Sequence, residues 1–245
     1  MDDAINDFIS IASHELRTPM TTIQGFTELL LNQDPPYAVR RQWLERILQD
    51  SNRLVAIVDD LLDISRISSG KLNITLKAVP IRRVVEGVVA EMRPSSEKHT
   101  FLVDIPESIS PVEADEHKLT QVISNLLDNA AKYSPQGGLV TVSARHEPGR
   151  HQVVTSVSDH GVGIAYDDQV ELFSLFHRVR RPENDGVGGT GLGLYIVKRL
   201  VELMKGEVWL ESELGKGSTF FLSIPATFET AQESSLAEIR GRSVS

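Results

Sequence analysis

His14 is the first residue whose position raises a chemical question. Ile5, Ile9, Ala12, Leu16, Pro19, Ile23, Phe26 and Leu30 step by alternating fours and threes, a heptad seam over residues 5–31. With Leu16 at a and Ala12 at d, His14 takes f, the outermost position, so it cannot be a core residue. It is either a solvated imidazole or an exposed nucleophile. Thr18, Thr21 and Gly25 continue the same outward strip. Pro19 removes the backbone hydrogen bond to residue 15, which predicts a kink or soft point beside His14.

Three further clusters carry suitable chemistry. The segment 116–133 is two-faced: Leu119, Val122, Ile123, Leu126, Leu127 and Ala130 form one side, and Asn125, Asn129, Lys132 and Tyr133 line another. Two carboxamides and a lysine can hold a metal and polyphosphate without adding negative charge; the plainer alternative is a solvated helix flank. Val157-Ser158-Asp159-His160-Gly161-Val162-Gly163-Ile164 sets a carboxylate at a strand end against a glycine turn. An acceptor-only group there suits an exocyclic amine such as that of adenine. Gly188, Gly189, Gly191 and Gly193 open a helix over 191–204, whose free N–H groups and dipole suit a phosphate.

Other motifs do not survive their context. Gly186-Val187-Gly188-Gly189-Thr190-Gly191 matches a dinucleotide fingerprint, but charged residues from Arg178 to Asp185 occupy the place of the required buried strand. His14-Glu15-Leu16-Arg17-Thr18 begins like a zinc-protease helix, yet Thr18 stands where the second histidine ligand belongs. Gly215-Lys216-Gly217-Ser218 has too few residues before its lysine for a P-loop.

The elements that must position these residues fall into two parts. After the first helix, Asn32-Gln33-Asp34-Pro35-Pro36 breaks the chain, and a second helix is predicted from Val39 to Ile67. Two adjacent seams run down it, Trp43-Ile47-Leu54-Ile57-Leu61-Ile64 and Leu44-Ile47-Leu54-Val58-Leu61. A stripe that wide suits a four-helix bundle, which one hairpin completes by forming a homodimer; packing of the hairpin on the rest of the chain is the alternative. Beyond Ser68-Ser69-Gly70, strands are expected at 72–78, 100–104, 139–146, 152–158, 207–212 and 218–224, with helices at 81–93, 116–133 and 191–204. That order predicts an α/β sandwich with helices on one face of a mixed sheet. The expected domains are 1–70, 71–226 and a polar tail at 227–245.

The 245 residues contain 25 Lys plus Arg and 34 Asp plus Glu, a formal net charge of −9, which disfavours nucleic acid as a partner. Cysteine is absent, which excludes disulfides, thiol catalysis and Cys-ligated zinc. No apolar run approaches the roughly 20 residues of a membrane span. Met1-Asp2-Asp3 lacks the basic start of a signal peptide, so a soluble, cytoplasmic chain is expected.

The order of the motifs resembles the sensor histidine kinases of two-component systems. Ser13-His14-Glu15-Leu16-Arg17-Thr18-Pro19 resembles their H box, Asn125 to Tyr133 their N box, and Asp159-His160-Gly161-Val162-Gly163 their first glycine box. Leu172-Phe173-Ser174-Leu175-Phe176-His177-Arg178 is similar to the F box, Gly189-Thr190-Gly191-Leu192-Gly193-Leu194 to the second glycine box, and Gly215-Lys216-Gly217-Ser218-Thr219 to the third. His177 stands where tyrosine is common, and Ala165 where proline is. The resemblance implies a dimeric phosphoacceptor hairpin followed by a Bergerat-type ATP-binding fold, with a lid near 165–191 hinged at Asp185 to Gly189. It implies that Asp159 accepts from the adenine amine and that Asn129, helped by Asn125, coordinates Mg²⁺. Lys132 and Arg178 would neutralise phosphates and Tyr133 flank the nucleotide. Gly161, Gly163, Phe176, Gly189, Gly191, Leu192, Gly193 and Thr219 would complete the ATP site.

In this scheme neutral His14 attacks the γ-phosphorus of ATP with Glu15 as base, and the phosphoryl group passes to an aspartate of a response regulator. Thr18 would hold water for the reverse, phosphatase activity. An upstream sensor domain, absent from this chain, could attach the parent protein to a membrane. Two other readings compete. An ATPase of the same superfamily needs no exposed His14, and a silent dimeric docking module has no physical need for Glu15, Asn129 and Asp159.

Overall fold

The computed structural model describes residues 2–147, 149–175, 177 and 190–227, and the chain divides into two compact units. The first comprises the residues up to Asn73 together with 172–175, 177 and 190–196; the second comprises the remaining described residues. The hinge expected at Asp185–Gly189 and the tail from 228 onward lie outside the described residues, as do the site candidates Phe176, Arg178 and Gly189.

The first unit is built on a helical hairpin, α1 (Asp2–Asn32) and α2 (Tyr37–Ser68). Pro36 caps the entry to α2, where a residue without an N–H costs nothing. The helices close on each other through the predicted seam: Phe26 and Trp43 have ring centroids 6.0 Å apart, and Ile57 and Ile64 are buried, as is Ile67 beyond the seam. α1 runs through Pro19 as one helix. Pro19 is itself buried in the seam, and threonine hydroxyls bond back to carbonyls four residues earlier, Thr21 to Arg17 at 2.9 Å and Thr22 to Thr18 at 3.2 Å. No described helix is long and apolar enough to cross a membrane.

The second unit contains β1 (Lys77–Val79), α3 (Ile81–Met92), β2 (His99–Asp104), β3 (Val112–Ala114), α4 (Glu116–Lys132), β4 (Gly138–Glu147), β5 (Gln152–Ser158) and the single turn α5 (Tyr166–Gln169). They are followed by α6 (Gly193–Leu203), which begins among residues of the first unit, then β6 (Glu207–Glu213) and β7 (Gly217–Pro225). The main sheet has the order β2-β4-β5-β7-β6, with β2 and β4 parallel and the other pairs antiparallel. Alternation sorts its faces. Val142, Val157 and Phe220 lie in register and are buried, as are Ala144, Thr155 and Leu222, whereas Ser143 and Ser156 on the other face bond to each other at 2.8 Å. The buried stripes of α3 and α4 complete the core, with Leu119, Ile123, Leu126 and Leu127 fully enclosed. This is the expected architecture, a helical hairpin followed by an α/β sandwich.

The strand expected at 72–78 shortens to 77–79, which pairs only with the unforeseen β3. Leu72, Ile74 and Leu76 alternate with exposed residues, as a half-buried extended segment does, but among the described residues no strand lies beside them to make a ladder. At three residues, β3 is too short to display a period.

Candidate functional site

The nucleotide-side candidates of the second unit are assembled by α4 and the turn after β5. Asp115 caps α4, its carboxylate accepting from the N–H groups of His117 at 3.1 Å and Lys118 at 3.2 Å, and from Thr75 at 2.9 Å. With the apolar stripe against the sheet, Asn125, Asn129 and Lys132 fall on a neighbouring, half-buried strip of the same helix. Tyr133 ends α4, and the Lys132 ammonium lies 5.8 Å from the centre of its ring.

The end of α4 is stitched to the Asp159 turn. The Val162 N–H donates to the Tyr133 carbonyl at 3.0 Å. Gly161 fits there because it has no side chain: a β-carbon would sit 2.2 Å from that same carbonyl oxygen and 2.7 Å from Ser134 Oγ. Gly217 at the start of β7 is constrained likewise, with φ at 103° and the Asp159 carbonyl 2.1 Å from where a β-carbon would be. The Asp159 N–H donates to the Ser218 carbonyl at 2.9 Å, and Gly215 N–H to Val162 carbonyl at 2.8 Å. The first and third glycine motifs are thus held backbone to backbone, with Gly163 buried between them.

Asp159 is only 6% exposed, and its carboxylate accepts the Gly161 N–H at 2.8 Å. Burial pushes the carboxyl above the ordinary carboxylate range, against the opposing pull of the Gly161 and Ser218 backbone hydrogen bonds. A buried acceptor whose charge is disfavoured by its surroundings is a site for a ligand's donor. The Thr219 hydroxyl, by contrast, is bonded to Ser158 Oγ at 2.9 Å on the sheet face away from the helices.

No described group of three or more His, Asp or Glu side chains could cage a metal by itself. The oxygens available are the carboxamides of Asn125 and Asn129, neutral hard donors that fit an ion sharing its coordination with phosphates. At the start of α6, Gly191, Leu192 and Gly193 lead into the helix, and Leu192 N–H is held by Thr190 Oγ1 at 3.2 Å.

In the hairpin, His14 and Thr18 are exposed on α1, as the heptad frame requires. The Thr18 hydroxyl donates to the His14 carbonyl at 3.3 Å. Glu15 points instead toward α2, where Arg53 Nη2 lies 3.3 Å from its Oε2. That contact was not legible from the motif, because it joins residues 38 apart in sequence. Nor were Ser212, whose hydroxyl accepts from Ile164 N–H at 2.8 Å, and Gln169, whose amide donates to Ile164 carbonyl at 2.9 Å. Both brace the loop after the glycine turn, and ordinary polar residues in a strand and a short helix carry no signal of such a role.

Comparison with known proteins gives two family matches. Residues 4–70 match the His Kinase A (phospho-acceptor) domain, and residues 114–227 match the histidine kinase-, DNA gyrase B-, and HSP90-like ATPase family. The sensor histidine kinase WalK of Bacillus subtilis is 34% identical over 92% of this chain and 37% of its own length. The sensor-like histidine kinase SenX3 of Mycolicibacterium smegmatis is 36% identical over 92% of this chain and 58% of its own. This chain therefore spans between a third and three fifths of those relatives. Among solved structures, Acinetobacter baumannii histidine kinase AdeS superposes with a TM-score of 0.69 at 26% identity, covering 88% of this chain and 98% of AdeS. ShkA in complex with AMPPNP gives 0.67 at 30% identity, covering 92% of this chain and 47% of ShkA. With both modules matched in order, each over the residues that carry its motifs, the chain belongs to the sensor histidine kinases and holds their catalytic core.

Proposed function

We propose that this chain is an ATP-dependent protein-histidine autokinase that phosphorylates His14 and passes the phosphoryl group to an aspartate of a response-regulator receiver domain. The observation that carries the reading is the exposed His14 imidazole, held on the outer face of a helix within the motif Ser13 to Pro19. The buried Asp159 turn and the strip of α4 supply the other half, and the AMPPNP complex of ShkA supports a nucleotide as the ligand. Asp159 accepts from the adenine amine. Asn129 and Asn125 hold Mg²⁺, which spreads the charge of the phosphates. Lys132 and Arg178 neutralise phosphate oxygens, Tyr133 flanks the nucleotide, and the glycine motif from Gly189 to Gly193 receives phosphate.

In the transfer, one imidazole nitrogen forms an N–P bond in line with the breaking O–P bond of ADP, and Glu15 takes the proton from the other nitrogen. Thr18, one turn beyond His14, holds water against the regulator's phosphoaspartate in the reverse reaction, which requires its hydroxyl to leave the His14 carbonyl. The hairpin acts as a homodimer. It leaves an apolar strip of α2 open to solvent, including Leu48 at 62% and Val55 at 59% exposure, with Leu44, Val58 and Leu62 in line.

The test is incubation with γ-labelled Mg-ATP. The parent chain takes up acid-labile, alkali-stable label, while His14→Gln takes up none and keeps its nucleotide affinity, because its ATP contacts lie beyond residue 120. Full labelling of His14→Gln overturns the assignment.

A further inference from the structure

The Arg53–Glu15 pair has no part in the reaction as described so far. Glu15 follows His14 directly, yet the two side chains meet different surroundings. His14 is exposed, whereas the Glu15 side chain is 15% exposed and faces α2. Arg53, with a side chain 35% exposed, meets it from the opposite helix at 3.3 Å. Residues adjacent on a helix point about 100° apart, so a glutamate does not face the preceding histidine by default. A free glutamate has three torsions to order before its carboxylate can take a proton at a fixed point. The Arg53 guanidinium limits those torsions here, and in the partly desolvated seam its hold is stronger than that of a surface pair.

Resting on the reading of Glu15 as the base, we infer that Arg53 is a positioning residue for phosphoryl transfer: from α2 it fixes the Glu15 carboxylate on the flank of α1 from which the His14 imidazole proton is taken. Arg53 touches neither ATP nor His14 in this role. It converts a mobile carboxylate into one whose place is set by the packing of two helices, and it makes the chemistry of α1 depend on the register of α2.

The alternative is an ion pair that merely fastens the hairpin, as residues flanking a heptad seam do. A double-mutant cycle separates the two. Initial rates of His14 labelling from γ-labelled Mg-ATP are measured across ATP concentrations for the full chain and for Arg53→Met, Arg53→Lys, Glu15→Gln and Glu15→Gln/Arg53→Met. The expected result is a loss of about tenfold or more in kcat for Arg53→Met with KM for ATP unchanged. Arg53→Lys should recover most of that rate, and Arg53→Met should cost nothing further when Glu15 is already Gln. An equal loss from Arg53→Met in both backgrounds assigns the pair to folding and overturns the proposal, as does an Arg53→Met chain that labels at the parent rate while Glu15→Gln is impaired. If Glu15→Gln itself labels at the parent rate, the reading of Glu15 as base fails instead, and the role of Arg53 falls with it.

Discussion

Asp159 shows how a single residue can be set by function against stability. Its carboxylate is buried, and the backbone hydrogen bonds of Gly161 and Ser218 offset only part of the cost of burying its charge. The folded-state pKa is raised, so the stabilising contribution of this group is complete at low pH and is lost as pH rises through that value. At neutral pH the ionised form therefore works against the fold. Asp159→Asn removes the charge and keeps an oxygen for Gly161 N–H, but exposes the ligand to an amide that can present a donor. The variant should melt no lower than the parent near pH 7 and should bind ATP weaker by about tenfold or more, in keeping with about 1–3 kcal/mol for one buried hydrogen bond. Calorimetric titration with Mg-ATP alongside thermal melts checks both, and parent-like affinity would remove Asp159 from the site. This residue was legible in the sequence because a strand-end carboxylate and its glycine turn are contiguous. Arg53 was not, because nothing in its own neighbourhood marks its pairing with a residue on another helix.

Among the elements, helix existence was legible over long periodic segments and strand partnership was not. The stripes of α3 and α4 are local patterns, and the helices stand where the patterns run. β1 and β3 are each other's ladder partner, and β3 adds only a bridge from Val112 to Ala226. The expected soft point at Pro19 is accommodated inside α1, its ring buried in the seam. α2 carries a different tension. Asp60 is pushed up to about 6, first by burial and then by its neighbours Asp63 and Asp59. Protonation of Asp60 thus favours the folded hairpin: its contribution is complete below the unfolded value of 3.8 and disappears as pH rises through about 6. Asp60→Asn should raise the melting temperature at about pH 7.5 and remove part of the gain in stability that the parent shows on acidification toward about pH 5. Circular-dichroism melts over that range decide it. A variant whose melting temperature falls at about pH 7.5 would mean that ionised Asp60 holds a stabilising contact.

At the scale of the whole molecule, the division of labour follows from what each unit can bury. The second unit encloses its own core between helices and sheet, and the candidate nucleotide residues hang from the end of α4 and the turn after β5. The hairpin of the first unit does not enclose itself. One seam of α2 faces α1, and the second seam read from the sequence includes Leu44 and Val58, which remain exposed beside Leu48, Val55 and Leu62. Two stripes on one helix need two partners, and a single hairpin offers one. A second copy presenting the same strip would supply the other by two-fold symmetry, burying apolar area on both chains at once. The chain's net charge of −9 opposes association at long range, so the contact has to come from this strip and should strengthen with salt. Light scattering at micromolar protein should give twice the chain mass for the parent. Leu48→Asp/Val55→Asp, which places like charges on both sides of a symmetric contact, should give the single mass while leaving nucleotide affinity intact. A parent that scatters as a monomer, or a double variant that still pairs, would place the dimer contact elsewhere or nowhere.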